Sequence, residues 1–368
     1  MRTKLHLFLA LAFVAGITHA AAQQPVITSF SQNGILACTN LQPGTVASVE
    51  WASSLAGPWQ TNWSGLDAVT VGPNGNIQVS VPMYYRVRGV AYTPTPSGMV
   101  LIPAGSFTMG DTLDGDANAL PTNVYVSAFY MDTNLVSWSQ WQGVYAYATA
   151  HGYGLNAGDG KAANHPVQTV NWYDCVKWCN ARSQQAGKAP VYYTDAGLTK
   201  VYTNGEVTVY VNWGAKGYRL PTEAEWEKAA RGGLSGQRFP WGNLISQTNA
   251  NYYGATGSYS YDLGPNGYNS IGLVGGSPYT SPVGSFAANG YGLYDMAGNV
   301  WQWCWDWYGT PYAGGTDPRG VASGSDRVFR GGGWNGYAIY CRAAGRAYDY
   351  PTGRYYNLGF RSVLPPGQ

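Results

Sequence analysis

From Met99 onward, glycines and turn dipeptides interrupt the sequence so often that only three stretches keep helical spacing long enough to form a helix, and the rest must be short strands and loops. The 368-residue chain holds 50 glycines. Ser137 caps SWSQWQGVYAYATA, where Trp138, Trp141 and Tyr145 recur at helical spacing. Asn171 caps NWYDCVKWCNARSQQAG, with Asp174 in the first turn, Trp172, Val176 and Cys179 on the apolar face, and a stop at Gly187. Thr222 and Glu225 stand at capping-box spacing in TEAEWEKAARGG, which Gly232 terminates. VYTNGEVTVYVNW reads as a hairpin with Asn204-Gly205 at its tip. Trp301, Trp303, Trp305 and Trp307 alternate as residues of a strand do. The fold class implied is α+β with little regular secondary structure.

Composition matters at one point. Only 11% of residues are charged, while there are 30 Tyr and 15 Trp. Such aromatic content excludes disorder, and surface polarity has to come from Tyr, Asn, Ser and Thr. Net charge is +2 with no basic run, so no nucleic-acid or anionic-membrane partner is implied.

The start of the chain differs from the rest. MRTKLH, LFLALAFVAG and THAAA form a basic, an apolar and a small-residue region, so residues 1–22 read as a cleaved signal peptide and the protein as secreted or periplasmic. No later stretch is long and apolar enough to span a bilayer. Residues 25–91 read as a small all-β, sandwich-like domain: Ile77, Val79 and Val81 alternate inward, VEWASS and YYRVRGV are strand-like, and GPNGN is a turn. YTPTPSG, residues 92–98, is a proline-punctuated linker to a main domain over 99–368. A monomer is expected.

The chain has five cysteines: Cys38, Cys175, Cys179, Cys304 and Cys341. An exported chain can form disulfides, but an odd count leaves at least one thiol over. Cys175 and Cys179 share a helix face, Cys304 and Cys341 are another plausible pair, and spacing alone does not decide the connectivity. Cys341 lies in RGGGWNGYAIYCRAAGR, Arg330–Arg346, which has the look of a site.

MVLIPAGSFTMG, HPVQTVNWYDCVKWCN, GYRLPTEAEWEKAARGG, RFPWGN, SPVGSFAANGYGLYDMAGNVWQWCWDWY, RVFRGGGW and NLGFRSV occur in that order. Together they resemble the sulfatase-modifying-factor family, the formylglycine-generating enzymes and their relatives, over about residues 97–364. The resemblance implies a C-type-lectin-like fold and, in the enzymes, oxidation of a sulfatase cysteine with oxygen and copper held by two thiolates. Counting forward from Gly333 places Gly336 and Cys341 at the two cysteine positions; counting back from Gly359-Phe360-Arg361 puts the second on Ala338. Cys341 is thus the one catalytic candidate, and no copper site is expected. A branch of the family uses iron held by histidines, but after the signal segment only His151 and His165 remain, the latter in the packing motif HPV.

Further assignments follow from the same resemblance. Ser362 replaces the cysteine that would pair with Cys179; the resemblance implies that the Cys304 and Cys341 motifs flank one cleft, and a Cys304–Cys341 disulfide is the expectation it gives. A structural calcium ion is implied at Asp295, the carbonyls of Gly298 and Val300, and Gln302; here Asp and Gln exchange ends relative to the family's Asn and Glu, so charge and oxygen count are kept. A second calcium position would start at Asn251 and the Tyr252 carbonyl, with Gly275 in place of its aspartate. Arg219 and Arg361 are expected to pair with Glu223 or Glu225. The old catalytic groove reads as a non-catalytic binding surface for a protein, peptide or glycan, formed by Trp334, Asn335, Tyr337, Tyr340, Arg342, Arg346, Tyr355 and Asn357, with Tyr348, Tyr350, Arg354 and Tyr356 nearby. It also resembles the diversified segments of lectin-fold variable proteins. The other readings are a copper-dependent oxidase and a glycan binder.

Overall fold

The computed structural model describes residues 25–30, 35–41, 43–51, 66, 68–80, 85–88 and 95–366. The proposed signal segment, 1–22, lies outside them. The chain divides into two compact units, Met1–Pro94 and Thr95–Gln368.

In the first unit, Val26–Phe30, Ile35–Thr39 and Ile77–Ser80 form one antiparallel sheet, and Val69–Thr70, Val46–Trp51 and Tyr85–Arg88 form another. Leu36, Cys38, Ala47, Val49, Val71 and Ile77 fill its core. Ile77 is buried, Gln78 exposed and Val79 half-buried, Val81 lies outside the described residues, and Gly75, at φ 69°, makes the preceding turn.

The second unit has three main helices, α1 (Trp138–Ala150), α2 (Trp172–Gln185) and α3 (Glu223–Arg231), each begun by the cap residue its sequence signals. Asn171 with Asp174 and Thr222 with Glu225 make reciprocal capping boxes, and Gly232 ends α3 in the left-handed conformation. The hairpin expected with Asn204-Gly205 at its tip does not form, because Val201 and Tyr210 each pair with Tyr193, on its two sides, and not with one another. Tyr192–Tyr193 pairs with Tyr210–Val211, and Asn180 reaches across from α2 to bind both Tyr192 and Tyr202. The backbone bonds of Tyr202 and Asn212 go to the carbonyls of Tyr192 and Val191, so the segment flanks that strand.

The sheet that positions the candidate site has the order Arg346–Asp349, Arg327–Arg330, Trp301–Trp307, Leu358–Gly359. Its pairs are antiparallel except the last, which is parallel. The four tryptophans do form a strand. Trp172, Trp178, Trp303 and Phe360 pack on one side of the core, and Trp226, Cys304 and Val328 with α3 on the other.

Candidate functional site

The site starts with charges buried beneath the sheet. Arg330, fully buried on its strand, bonds to Glu223 at 3.0 Å and to Glu227, both on α3. Arg346 bonds Glu223 through Nε at 2.6 Å and Nη2 at 2.8 Å, and Arg231 bonds Glu227 at 2.7 Å. Arg219 takes Glu225 in a two-pronged pair at 2.6 Å, as expected. Arg361 does not find a glutamate. It donates to Gln302 and to the carbonyls of Asp132, Tyr294 and Asp295, because Glu225 is already taken by Arg219 and Glu223 by two other arginines.

Gly331 and Gly332 follow Arg330 with φ of 95° and 75°. A Cβ on Gly331 would lie 3.0 Å from the amide of Gln302 and from the Trp226 ring; one on Gly332 would lie 2.9 Å from Cys341 Sγ. The glycine run therefore folds the chain back over its own core, and a short 3₁₀ turn, Ala338–Cys341, tucks the cysteine under it.

Cys341 has no exposed surface and packs among Phe239, Ile245, Tyr252, Tyr261 and Ala338. Burial, and then the charge of Asp262, pushes its thiol well above the ordinary range. No second cysteine joins it. Cys304 belongs to the separate cluster around Trp226, and both thiols are free, so the expected Cys304–Cys341 disulfide is not formed. A two-thiolate copper site does not fit these residues, since Gly336 and Ala338 stand at the alternative positions. His165 binds Thr280 and His151 stacks on Tyr147, and among the described residues no group of three His, Cys, Asp or Glu could hold a metal.

Above the glycine run the side chains are aromatic and open. Tyr337, Tyr340, Tyr355 and Tyr356 are 43–54% exposed. Trp334 is buried beneath them, its ring 5.5 Å from Tyr356, 5.7 Å from Tyr268 and 5.2 Å from Tyr279. Tyr337 leans on Tyr253 and Tyr259, and Tyr340 on Trp301. Asn357 Nδ2 donates to Asn335 Oδ1 at 2.9 Å.

Two residues expected on this face are elsewhere. Arg342 is 4% exposed and bonds Asp114 and Asp116, each at 3.2 Å, and Arg346 lies in the buried network with its guanidinium over Tyr312. Arg346 is held there by the buried Glu223, and Arg342 by the part-buried Asp114 and Asp116. Tyr253, Tyr259 and Tyr268 were not anticipated. Their signal was the tyrosine density of NYYGATGSYSYDLGPNGYNS, a loop with no motif to place it.

The calcium ligands implied by the resemblance meet only in part. Asp295 is buried; burial raises its carboxyl, against the amide of Gly284 at 2.7 Å. Gln302 gives its oxygen to Trp226 and Arg361 and turns its amide nitrogen to the Asp295 carbonyl, so the expected oxygen set at Asp295, Gly298, Val300 and Gln302 is one short. Asn251 donates to the Tyr279 carbonyl, and its own oxygen is buried without a donor.

Residues 88–365 match the sulfatase-modifying factor enzyme 1-like domain. The chain is 34% identical to the bovine formylglycine-generating enzyme over 72% of this chain and 74% of that one. It is 33% identical to the chaperone protein LppX of Paenibacillus barcinonensis, over 66% and 80% respectively. Among solved structures, Treponema denticola variable protein 1 superposes with a TM-score of 0.58 and 31% identity, over 73% of this chain and 95% of that one. In the described residues no helix is long and apolar enough to cross a membrane. The chain belongs to the sulfatase-modifying factor enzyme 1-like family.

Proposed function

We propose that the protein is an exported, non-catalytic binding member of its family, and that its ligand docks on the aromatic face over Trp334. The observation that carries this is the contrast at one spot. Cys341 is a buried protonated thiol without a mate, while the tyrosines above it are open. Family oxidation needs thiolates, and a thiol raised by burial is neither nucleophile nor soft ligand. Tyrosine presents a rigid ring and a hydroxyl at low entropic cost, and the Asn335–Asn357 pair leaves one amide NH2 and one carbonyl for hydrogen bonds. With Arg342 and Arg346 held in ion pairs, the face suits an uncharged glycan or peptide surface. Relatives that bear the names of a chaperone protein and a variable protein support a use of this scaffold other than oxidation.

The test is to incubate the purified protein with copper, oxygen and a CxPxR-containing peptide. No change in peptide mass is expected. Conversion of the peptide cysteine to an aldehyde would establish the oxidase reading instead. In parallel, screening against glycan and peptide arrays should give ligands whose binding Tyr340→Ala and Tyr355→Ala weaken by tenfold or more, on the order of 1.4 kcal/mol.

A further inference from the structure

Gln302 is buried in the loop that the resemblance assigns to calcium, and its orientation is fixed by chemistry. Its Oε1 accepts from Trp226 Nε1 at 2.8 Å and from Arg361 Nε at 2.8 Å. Indole and guanidinium are donors only, so the amide cannot be turned over without facing two donors with a third. Its NH2 therefore faces the loop and donates to the Asp295 carbonyl at 2.9 Å. A carboxylate in this position would satisfy the same two donors with one oxygen and offer the other to a cation. The glutamine offers hydrogens.

The rest of the loop is likewise supplied from within. Arg361 Nη2 donates to the carbonyls of Tyr294 at 2.7 Å and Asp295 at 3.3 Å. The Asp295 carboxylate takes the Gly284 amide through Oδ2, and Asn299 Nδ2 at 3.4 Å through Oδ1. What remains for a metal is the carbonyls of Gly298 and Val300 and part of one carboxylate, where calcium takes about six to eight oxygens.

The second position shows the same substitution by other atoms. Gly275 stands where the acid would be, and Lys161 donates from Nζ to the Gly272 carbonyl at 2.8 Å. Its stem runs so close that a Cβ on Gly275 would lie 3.2 Å from Lys161 Cε. The Tyr252 carbonyl accepts from Gln247, leaving Asn251 Oδ1 as a single open oxygen.

We infer that this protein holds the Asp295–Gln302 loop without calcium, the Gln302 amide and the Arg361 guanidinium acting in place of the ion, and that Gln302 is the residue that excludes it. The inference does not depend on what the aromatic face binds. It is tested by thermal unfolding of the full chain in EDTA and in millimolar calcium chloride, with calcium titrated into metal-stripped protein by calorimetry. The wild-type midpoint should agree in the two buffers to within about 1 °C, with no saturable heat. Gln302→Glu should acquire one calcium per chain and a midpoint raised by calcium by about 5 °C or more, the shift that saturating ligand gives a domain of this size. A wild type that loses several degrees in EDTA, or binds calcium stoichiometrically, overturns the inference. A folded Gln302→Glu that ignores calcium overturns the role given to Gln302. The wild-type titration decides the main point even should that variant not fold.

Discussion

Arg330 and Tyr340 belong to one short stretch of chain and live in opposite surroundings. Around Arg330 each charged side chain has an ion-pair partner and little solvent exposure: Glu223, Glu227, Arg231 and Arg346 close on one another beneath the sheet. Around Tyr340 the ring lies tilted against the buried Trp301 but keeps much of its own surface in solvent. Gly331 and Gly332 divide the two, because only residues without side chains can pass between Trp226 and Cys341. The difference teaches that the backbone of the stretch is held by a base of buried ion pairs on one side while its exposed side chains leave no buried charge unpaired.

Removing a partner from the base should therefore have the largest effect. Glu227 has no exposed surface and accepts from Gly110 N at 2.7 Å, from Arg231 and from Arg330. Glu227→Ala leaves two buried guanidinium groups short of an acceptor and should cost about 3–5 kcal/mol. Denaturant unfolding measures it. A loss below about 1 kcal/mol would show that the base is not what holds the stretch.

The base also predicts a pH dependence. Asp306, on the tryptophan strand, accepts from Glu223 N at 2.7 Å, yet burial and then the Glu223 charge push its carboxyl up to about 8. Glu225 adds to the rise and Arg327 opposes it. A carboxyl whose folded pKa exceeds its unfolded value of 3.8 binds its proton more tightly in the folded state. Its contribution is complete below about 4 and is lost as pH rises through about 8. The midpoint of unfolding should thus fall from pH 6 to pH 9, and Asp306→Asn, which keeps the acceptor and cannot ionise, should flatten that decline. An unchanged slope in the variant would remove Asp306 as its cause.

These two regions were not equally legible in the sequence. The helix caps at Ser137, Asn171 and Thr222 act within four residues, and each helix begins where its cap stands. The Arg219–Glu225 pair joins the residues just before α3 to its first turn, and it too was local enough to read. Arg342, Arg346 and Arg361 were misplaced because their partners, Asp114, Glu223 and Gln302, lie far off in the chain, and each arginine goes where a carboxylate or carbonyl is still free. The disulfide failed for a similar reason. Cys304 packs in the cluster around Trp226 and Cys341 in the one around Phe239 and Tyr252. The open tyrosines of 337–356 could be read as a face, while the loop that completes it at Tyr253, Tyr259 and Tyr268 carries no spacing rule.

The smallest expected effect is on the face itself, and it is the sharpest test of the division. Tyr340 and Tyr355 are 45% and 43% exposed. Tyr340 touches Trp301 at 5.8 Å between ring centres. Truncating either to alanine removes one partly solvated contact and leaves no buried group unpaired, so stability should change by about 0.5 kcal/mol or less. Trp334→Ala is the matched contrast, because that ring is buried against Tyr268, Tyr279 and Tyr356 and its loss should cost about 3 kcal/mol or more. Denaturant unfolding of the three variants compares them directly. Were Tyr340→Ala or Tyr355→Ala to destabilise the fold as much as Trp334→Ala does, the tyrosines would be part of the core and not a surface free to take a ligand.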